Sequence, residues 1–157
     1  MEQLTMQFTE WTRVAEVELV YKTKVKASER PRITSTKEAY QLLVQTWDVN
    51  KIEFVEQFKV VLMNRAHRVL GIYELSTGGI AGTIADPKLV FMAALKSNAC
   101  CLILSHNHPS GNLKPSHADE ALTKKNYEAG KLLDIQVLDH VIVTSEGYYS
   151  FADEGLL

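Results

Sequence analysis

The stretch LILSHNHPSGNLKPSHADEALTKK, residues 102–125, decides the fold of this chain. Its apolar start predicts a buried strand, and that strand ends in His106 and His108. Side chains two residues apart in an extended segment project from the same face, so both imidazoles are expected on one side. A loop with proline and glycine follows, and the polar residues after it predict a helix over about 117–133.

Asp119, in the first turn of that helix, adds a carboxylate to the two histidines. Three protein ligands of this kind are typical of a catalytic zinc site, which keeps its fourth position for water. A closed structural zinc site more often uses cysteine, and both cysteines of this chain, Cys100 and Cys101, lie further back in the strand. The pattern therefore favours an open metal site at the end of the strand.

Each part of this pattern also has an interpretation without a metal. A His-x-His pair alone is a weak metal signal. Ser116 and Asp119 match the S-x-x-D/E pattern of a helix N-terminus, in which the acidic side chain only caps the helix. Histidine and carboxylate ligands also suit several divalent metals besides zinc. The combination favours a metal site over either part alone, and the residues by themselves leave both interpretations open.

The segments on either side predict alternating strands and helices. Before the strand at 99–106 they are a half-exposed strand at 17–25, a helix opened by the capping box STKE at 35–38, and a hairpin of apolar strands at 58–64 and 69–76. A glycine-rich connection at 76–83 then leads to a helix that follows Asp86 and Pro87 and ends near Ser97. After the strand at 99–106 and the helix already described come a strand at 135–144 and a closing hairpin at 146–151. The first hairpin is expected at the centre of the sheet. This order predicts an α/β (α+β) fold with a mixed central β-sheet flanked by helices.

Composition is typical of an ordinary globular domain. The 157 residues are 46% hydrophobic and 23% charged, with a formal net charge of -2. These values exclude a disordered or collagen-like chain and fit one domain with its own core. The densest basic segment, 21–32, is interpreted as a solvated strand face and a loop, so DNA binding has only weak support.

The cellular compartment is predicted from features that the sequence lacks. No apolar run approaches the ~18 residues of a membrane span. The N-terminal sequence MEQLTMQFTEW has neither the basic start nor the apolar run of a signal peptide. Cys100 and Cys101 are neighbours on a strand and point to opposite faces, so no disulfide is expected between them. We therefore expect a cytoplasmic protein without a membrane span.

The segment HNHPSGNLKPSHAD, 106–119, resembles the JAMM (MPN+) metalloprotease motif, in which a distant glutamate is followed by H-x-H-P-x(n)-S-x-x-D. The form SHNHPSG, together with LDHVIV at 138–143 and YYSFADEG at 148–155, resembles the RadC family in particular. This resemblance implies the JAB/MPN architecture, which is similar to that of cytidine deaminases. It also implies an N-terminal extension at 1–17 and a RadC-type JAB/MPN metal-dependent hydrolase domain at 18–157.

The resemblance implies a role for each matching residue. His106, His108 and Asp119 are the expected ligands of one Zn2+ per chain. Glu56, which matches the upstream glutamate, is the expected general base that moves a proton from the attacking water to the leaving amine. Ser116 is the expected hydrogen-bond donor to that water or to the developing oxyanion.

The function implied is that of a zinc-dependent metallopeptidase, which hydrolyses a peptide or isopeptide bond in a peptide or protein substrate. The alternative is a non-enzymatic, zinc-containing module that binds protein, or DNA in repair, an association that rests on the family's label. A nucleobase deaminase is disfavoured because its H-x-E and P-C-x-x-C motifs are missing.

Four other residues carry expectations outside the proposed site. Lys88 stands where the RadC pattern commonly has arginine, so a substrate contact there keeps the charge and loses the bidentate fork. His140 is either a partner of a ligand or substrate, or a hydrogen-bonded structural histidine. His67 and His117 are expected to be exposed to solvent.

Overall fold

The computed structural model describes residues 12–78 and 85–157, which form five strands and three α-helices. The strands are β1 (Gln57–Met63), β2 (Val69–Thr77), β3 (Cys101–Asn107), β4 (Gln136–Val143) and β5 (Tyr148–Ser150). The helices are α1 (Thr36–Thr46), α2 (Pro87–Lys96) and α3 (His117–Leu132), and a short 3-10 helix spans Ala27–Glu29.

The five strands form one mixed sheet in the order β2-β1-β3-β4-β5. β1 pairs antiparallel with both β2 and β3, and β4 pairs antiparallel with β5. β3 and β4 are parallel, and α3 makes the crossover between them. Parallel neighbours need such a crossover, whereas a short turn joins an antiparallel pair. The mixed sheet with flanking helices confirms the predicted fold class.

Helices cover both faces of this sheet. Val61 and Ile103 belong to the core cluster that includes α1, whereas Val60 and Leu104 belong to the cluster that includes α2. Neighbouring side chains on a strand alternate between faces. His106 is two residues after Leu104, so it lies on the face covered by α2 and α3.

Each of the three helices begins at a residue whose side chain caps it. Ser35, Asp86 and Ser116 accept hydrogen bonds from backbone N–H groups of the first turns of α1, α2 and α3. These bonds satisfy amide donors that have no partner within the helix. In α1 the predicted box is shifted by one residue, because the Glu38 carboxylate accepts from the backbone N–H of Thr34, at 2.6 Å.

Two predictions about the sheet were wrong. Residues 17–25 form no strand; they are mostly exposed, and the Tyr21 hydroxyl reaches the carbonyl oxygen of Leu70 without a ladder of backbone pairs. The β1–β2 hairpin also does not lie at the centre of the described sheet, because the parallel β3–β4 pair extends the sheet beyond β1 and leaves β2 at its edge.

Residues 79–83 of the glycine-rich connection, and residues 1–11 of the expected N-terminal extension, lie outside the described residues. No helix in the described ranges has the length and apolar character needed to cross a membrane.

Candidate metal centre

The end of β3 and the residue that follows it bring the two predicted histidines together. The Nε2 atoms of His106 and His108 lie 2.9 Å apart. His106 is buried, and the side chain of His108 is 15% exposed, so the pair lies at the boundary between core and solvent. In the loop that follows, Gly111 adopts a φ of 81° and donates its N–H to the His108 carbonyl oxygen at 3.0 Å. Glycine adopts this left-handed conformation without steric cost, so the chain turns back sharply toward α3.

Two carboxylates face this pair of nitrogen atoms. Asp119 places one oxygen 3.4 Å from His106 Nε2 and the other 3.4 Å from His108 Nε2. Glu56 Oε1 lies 3.8 Å from His106 Nε2 and 4.0 Å from His108 Nε2. Among the described residues, Glu56, His106 and His108 form a group whose potential ligand atoms lie within 4.8 Å of one another. The structure thus brings all of these predicted residues into one cluster.

Asp119 also caps α3, so the two interpretations of this residue are compatible. Its Oδ2 accepts a hydrogen bond of 2.8 Å from the backbone N–H of Ser116, and Ser116 Oγ accepts one of 3.1 Å from the backbone N–H of Asp119. This reciprocal pair is a capping box. It fixes the carboxylate at the N-terminus of the helix while leaving Oδ1 directed at His106. Because Ser116 Oγ acts there only as an acceptor, its hydroxyl proton remains available for donation.

The remaining ring nitrogens bond to groups away from the cluster. His108 Nδ1 lies 2.6 Å from the carbonyl oxygen of Asn112, and His106 Nδ1 lies 2.8 Å from Nε2 of His140. His140 Nδ1 in turn lies 2.5 Å from Thr123 Oγ1. These bonds orient both rings so that only their Nε2 atoms face the carboxylates.

The electrostatics of the cluster favour a positive charge at its centre. Burial raises the pKa of the Asp119 carboxyl, but His106, His108 and the Ser116 amide outweigh burial and hold that pKa well below its usual range. Burial lowers the pKa of His108, yet the neighbouring Asp119 and Asn112 raise it above the ordinary value. A carboxylate that stays ionised beside a histidine with a raised pKa also attracts a cation, and a metal ion displaces the histidine proton when it binds.

His140 lies behind the cluster and is completely buried. Burial, and the neighbouring His106 after it, lower the pKa of His140 well below its ordinary value, so this ring is neutral at pH 7. Its ring stacks on Phe151 with 4.8 Å between centroids and 10° between planes. The sequence alone left the role of His140 open, and the structure places it in contact with a candidate ligand.

Asn107 holds the segment that carries Glu56, a role that sequence reasoning missed. Its side-chain oxygen accepts from the backbone N–H of Gln57 at 2.7 Å. Its side-chain nitrogen donates to the carbonyl oxygens of Ile52 and Val55 at 2.8 and 2.9 Å. A usable signal was present, because a buried amide between two histidines on a strand must find partners on the opposite face.

Comparison with known proteins identifies the family. The sequence model described as the RadC-like JAB domain matches residues 33–156. The chain belongs to the RadC-like JAB domain family. The resemblance drawn from the motif and its flanking segments is therefore confirmed.

Relatives of this RadC-like JAB domain share substantial identity but are longer. A UPF0758 protein of Flavobacterium johnsoniae is 46% identical over 125 residues, which are 80% of this chain and 53% of the relative. UPF0758 proteins of Nitrosococcus oceani and Clostridium acetobutylicum are 47% identical over 102 residues and 38% identical over 133 residues. These alignments cover 65% and 84% of this chain, and 46% and 56% of the two relatives. The chain thus spans about half the length of the curated relatives it matches.

An open groove of about 470 Å³ runs past the cluster of this RadC-like JAB domain. Its lining residues combine apolar, cationic and site side chains: Phe54, Val55, Glu56, His108, Pro109, Ser110, Asn112, Lys114 and Ser116. Phe54 is 82% exposed, although its side chain is large and apolar. Its ring gives the groove an exposed apolar surface beside the polar cluster.

The other residues singled out in the sequence lie outside the cluster. Lys88 is exposed in the first turn of α2 and forms a 3.8 Å ion pair with Asp86, and no described contact of Lys88 assigns it a substrate role. His67, at a φ of 59° in the turn between β1 and β2, is exposed, as is His117. These two histidines were predicted correctly as solvated positions.

The donor set of the RadC-like JAB domain fits a metal such as zinc. At zinc–ligand distances of about 2.0–2.1 Å, two ligands of a tetrahedral centre lie about 3.3 Å apart. The measured separations of 2.9 Å between the Nε2 atoms and 3.4 Å from each Nε2 to Asp119 are close to that value. Glu56 lies further from both nitrogens than Asp119 does. Asp119 is thus the nearer of the two carboxylates to both nitrogens, and Glu56 lies beside it.

Proposed function

We propose that this chain is a zinc-dependent hydrolase that cleaves peptide or isopeptide bonds. One observation carries the proposal: His106 Nε2, His108 Nε2 and the Asp119 carboxylate converge, and the Glu56 carboxylate lies within 4.0 Å of both nitrogens. Two histidines and a carboxylate are a typical donor set for catalytic zinc, and a fourth group nearby suits proton transfer. Membership of the RadC-like JAB family supports the same interpretation.

In this proposal His106, His108 and Asp119 hold the metal. Zinc bound there would lower the pKa of a water molecule to about 7 and polarise the scissile carbonyl. The protein contributes the orientation of the ligands. Asn112 and His140 fix the two rings, and the capping box with Ser116 fixes the carboxylate.

Glu56 is the proposed general base. Its side chain is 18% exposed, so it reaches the groove while the protein shields most of it from solvent. Its carboxylate takes a proton from the attacking water and later returns it to the amine that leaves. The backbone carbonyl of Glu56 accepts a 2.8 Å hydrogen bond from Gly78, and Asn107 holds the residues on either side. These contacts keep the carboxylate beside the two histidines.

Ser116 is the proposed donor to the oxyanion. It lines the same groove as Glu56 and His108, and its hydroxyl proton is not used by the capping box. A donor fixed before the reaction stabilises charge that develops in the transition state, without the cost of reorganising solvent. Ser116 therefore serves both as the N-cap of α3 and as a group that faces the substrate.

The groove supports an extended peptide or protein segment as the substrate. Phe54 offers an exposed ring to an apolar side chain, and Lys114 offers a cation at the same surface. The groove is open rather than enclosed by the described residues, so it admits a chain that continues beyond the scissile bond. Small-molecule substrates usually bind in more enclosed, more apolar cavities.

The test combines metal analysis with cleavage of peptide and isopeptide libraries. The wild-type protein is expected to bind one zinc per chain and to cleave library members only when zinc is present. His106→Ala/His108→Ala should lose the zinc and the activity. Glu56→Gln should keep the zinc and lose at least about 100-fold in rate, the typical contribution of a general base. Glu128→Gln, on the exposed side of α3, is the matched control and should behave as wild type.

Two results would contradict the proposal. The first is folded wild-type protein that binds no zinc even when the metal is supplied. The second is zinc-loaded protein that cleaves nothing, with Glu56→Gln identical to wild type. If that second protein bound DNA with an affinity that fell steeply with salt, a non-enzymatic binding module would replace the hydrolase.

A further inference from the structure

We propose that Thr123 and His140 are positioning residues that set the tautomer of His106, so that the Nε2 atom of the neutral His106 ring faces the cluster without a proton. The proposal rests on the metal site of the proposed function. It assigns roles to two buried side chains that take no part in the capping box, the groove or the proton transfer.

The direction of the hydrogen bonds follows from Thr123. Its Oγ1 lies 2.6 Å from the carbonyl oxygen of Asp119, which can only accept. Thr123 has a single hydroxyl proton, and that proton must lie between the two oxygens. Oγ1 therefore has only lone pairs left for His140 Nδ1, which lies 2.5 Å away. His140 must donate in this contact, so its proton is on Nδ1.

The direction of the hydrogen bond to His106 follows from the proton on His140 Nδ1. A neutral imidazole has one protonated nitrogen, so His140 Nε2 carries a lone pair. His106 Nδ1 lies 2.8 Å from that lone pair and must donate to it. The proton of the neutral His106 ring is thereby held on Nδ1, and Nε2 is left as the atom that binds a metal. The chain of bonds begins at the Asp119 backbone and ends opposite the Asp119 carboxylate, 3.4 Å from His106 Nε2.

The reverse arrangement conflicts with the geometry. If Thr123 donated to His140, His140 would donate to His106, and the neutral His106 ring would carry its proton on Nε2, inside the cluster. The oxygens of Thr123 and Asp119 would then face each other at 2.6 Å without a proton between them. Two lone pairs at that distance repel, and a buried contact of 2.6 Å leaves no room for a cation between them. The proposed direction also leaves two lone pairs facing each other, on His106 Nε2 and His108 Nε2 at 2.9 Å, but these face the cluster, where a metal ion can bind both. The carbonyl of Asp119 therefore selects the direction of the whole relay.

His108 reaches the same tautomer by a shorter route. Its Nδ1 lies 2.6 Å from the carbonyl oxygen of Asn112, an acceptor, and must therefore carry a proton. Metal-binding histidines usually donate their second nitrogen to a carbonyl or a carboxylate in this way. His106 is buried, and its Nδ1 does not contact a carbonyl directly. Thr123 and His140 instead connect that nitrogen to the Asp119 carbonyl through a series of hydrogen bonds.

The relay is enclosed by packed side chains. His140 and Thr123 are buried, and the ring of His140 lies between Phe58 and Phe151, with centroid distances of 5.6 and 4.8 Å. Phe58 also stacks on His106 with 5° between the planes. These contacts keep the rings at the angles that the hydrogen bonds require and shield the bonds from competition with water.

The experiment compares wild type with Thr123→Val, which keeps the shape of the side chain and removes its hydroxyl, and with Thr123→Ser, which keeps the hydroxyl. The first measurement is the ring-nitrogen NMR spectrum of metal-free protein at a pH above the titration of the rings. In wild type, Nδ1 of His106 and of His140 should carry the protons. Thr123→Val should shift His106 toward the Nε2-protonated form, and Thr123→Ser should restore the wild-type pattern.

The second measurement is the zinc dissociation constant by competition with a chelator. Thr123→Val is expected to weaken zinc binding about 10–100-fold, the usual effect of losing the partner of a metal-binding histidine, and Thr123→Ser should recover most of it. The matched control is Ser105→Ala. Ser105 is buried beside His106 in the sequence, but its hydroxyl donates to the Val141 carbonyl at 2.9 Å, away from the cluster. This variant should change neither the tautomer nor the zinc affinity.

The outcomes separate this proposal from the proposed function. A wild-type His106 ring that carries its proton on Nε2, or a Thr123→Val variant that is folded and binds zinc as tightly as wild type, would overturn the relay and leave the hydrolase intact. Failure of the wild-type protein to bind zinc would instead remove the metal site, and the NMR pattern of the metal-free protein would still decide the direction of the hydrogen bonds.

Discussion

The side-chain oxygen of Asn107 accepts a hydrogen bond of 2.7 Å from the backbone N–H of Gln57, the residue that follows the proposed base. Its side-chain nitrogen donates to two carbonyl oxygens of the preceding turn, so three backbone groups depend on one buried amide. Asn107 stands between His106 and His108 in β3, and it points to the opposite face of the sheet. One strand end thus positions both the candidate ligands and the segment that carries Glu56.

Asn107→Asp should therefore destabilise the protein, although the substitution leaves the volume of the side chain unchanged. The carboxylate can still accept from Gln57, but its second oxygen would face the carbonyls of Ile52 and Val55, which previously accepted hydrogen bonds. Leaving such buried groups unpaired costs about 1–3 kcal/mol, and more where a charge is involved. Urea denaturation at pH 7 should show a loss of at least about 2 kcal/mol in the free energy of unfolding.

The control for this variant is Asn112→Asp. The Asn112 side chain is exposed and acts as an acceptor, from the backbone N–H of Lys114 at 3.0 Å. A carboxylate performs the same function, so the free energy of unfolding should change by no more than about 0.5 kcal/mol. Equal effects of the two substitutions would show that the donor side of Asn107 is unimportant.

Much of the fold was predictable because local patterns in the sequence agree with the final packing. The apolar run before His106 became β3, and Ser35, Asp86 and Ser116 each mark a helix start through their own side chains. The prediction of a strand at 17–25 was wrong for a physical reason: alternating residues favour an extended chain, but a strand also needs a partner for its backbone groups. Alternation carries no information about whether such a partner is in reach.

Within the candidate site, only the residues that belong to the motif could be predicted from the sequence. Glu56 could be chosen from the resemblance but not from spacing, because some 50 residues separate it from the histidines. Thr123 had no signature, and Asn107 signalled only a need for hydrogen-bond partners and not which ones, since both roles depend on atoms that the sheet and α3 bring close. The direction of a hydrogen bond, in particular, exists only once donor and acceptor face each other.

Ser116→Ala and Ser116→Gly should separate the capping role of this serine from its proposed role in catalysis. Both variants lack the hydroxyl, so both should lose cleavage to the same extent, about 100-fold or more if the oxyanion contact is made. Their stabilities should differ. Alanine at an N-cap costs about 1 kcal/mol, whereas glycine costs only a few tenths. Denaturation curves recorded beside cleavage rates test this, and an activity loss that tracked stability instead would assign Ser116 to capping alone.

Asp139 should stabilise the folded protein when it is protonated, and this contribution to the free energy of unfolding should fall as the pH rises above about 4. Burial raises the pKa of this carboxyl and outweighs the hydrogen bonds that it accepts from Ser150, Ala152 and His140. A folded-state pKa above the unfolded value of about 3.9 means that the folded protein binds the proton more tightly. The resulting stabilisation is complete below the unfolded pKa and is lost as the pH rises through the folded pKa. Each unit by which the pKa is raised corresponds to roughly 1.4 kcal/mol.

The check on Asp139 is the free energy of unfolding at pH 4 and pH 7, measured for wild type and for Asp139→Asn. The asparagine oxygen can accept from His140 and Ala152, and its nitrogen can donate to Ser150 Oγ, so the variant should fold. The advantage of wild type over the variant should be larger at pH 4 than at pH 7. Asp134→Asn, at an exposed position, should parallel wild type. If the advantage of wild type were instead larger at pH 7 than at pH 4, the three hydrogen bonds would outweigh burial in setting the pKa of Asp139.

Gly130→Ala should destabilise the protein even though alanine is the better helix former. A methyl group at this buried position of α3 would overlap the carbonyl oxygen of Ile135 and come within 3.1 Å of the Val137 side chain. The backbone there is already fixed, because Ile135 donates its N–H to the Gly130 carbonyl at 2.9 Å. The helix-propensity gain of about 1 kcal/mol is smaller than the cost of moving α3 away from β4, so we expect a net loss of about 1–3 kcal/mol.

Gly71→Ala is the matched control for this substitution. No heavy atom lies within 4 Å of a methyl group placed on Gly71 in the edge strand β2, so its free energy of unfolding should stay within about 0.5 kcal/mol of wild type. Chemical denaturation of both variants measures the difference directly. If Gly130→Ala proved as stable as Gly71→Ala, α3 would be free to shift on the sheet, and the positions of Asp119 and Thr123 at its other end would not be fixed by its packing against β4.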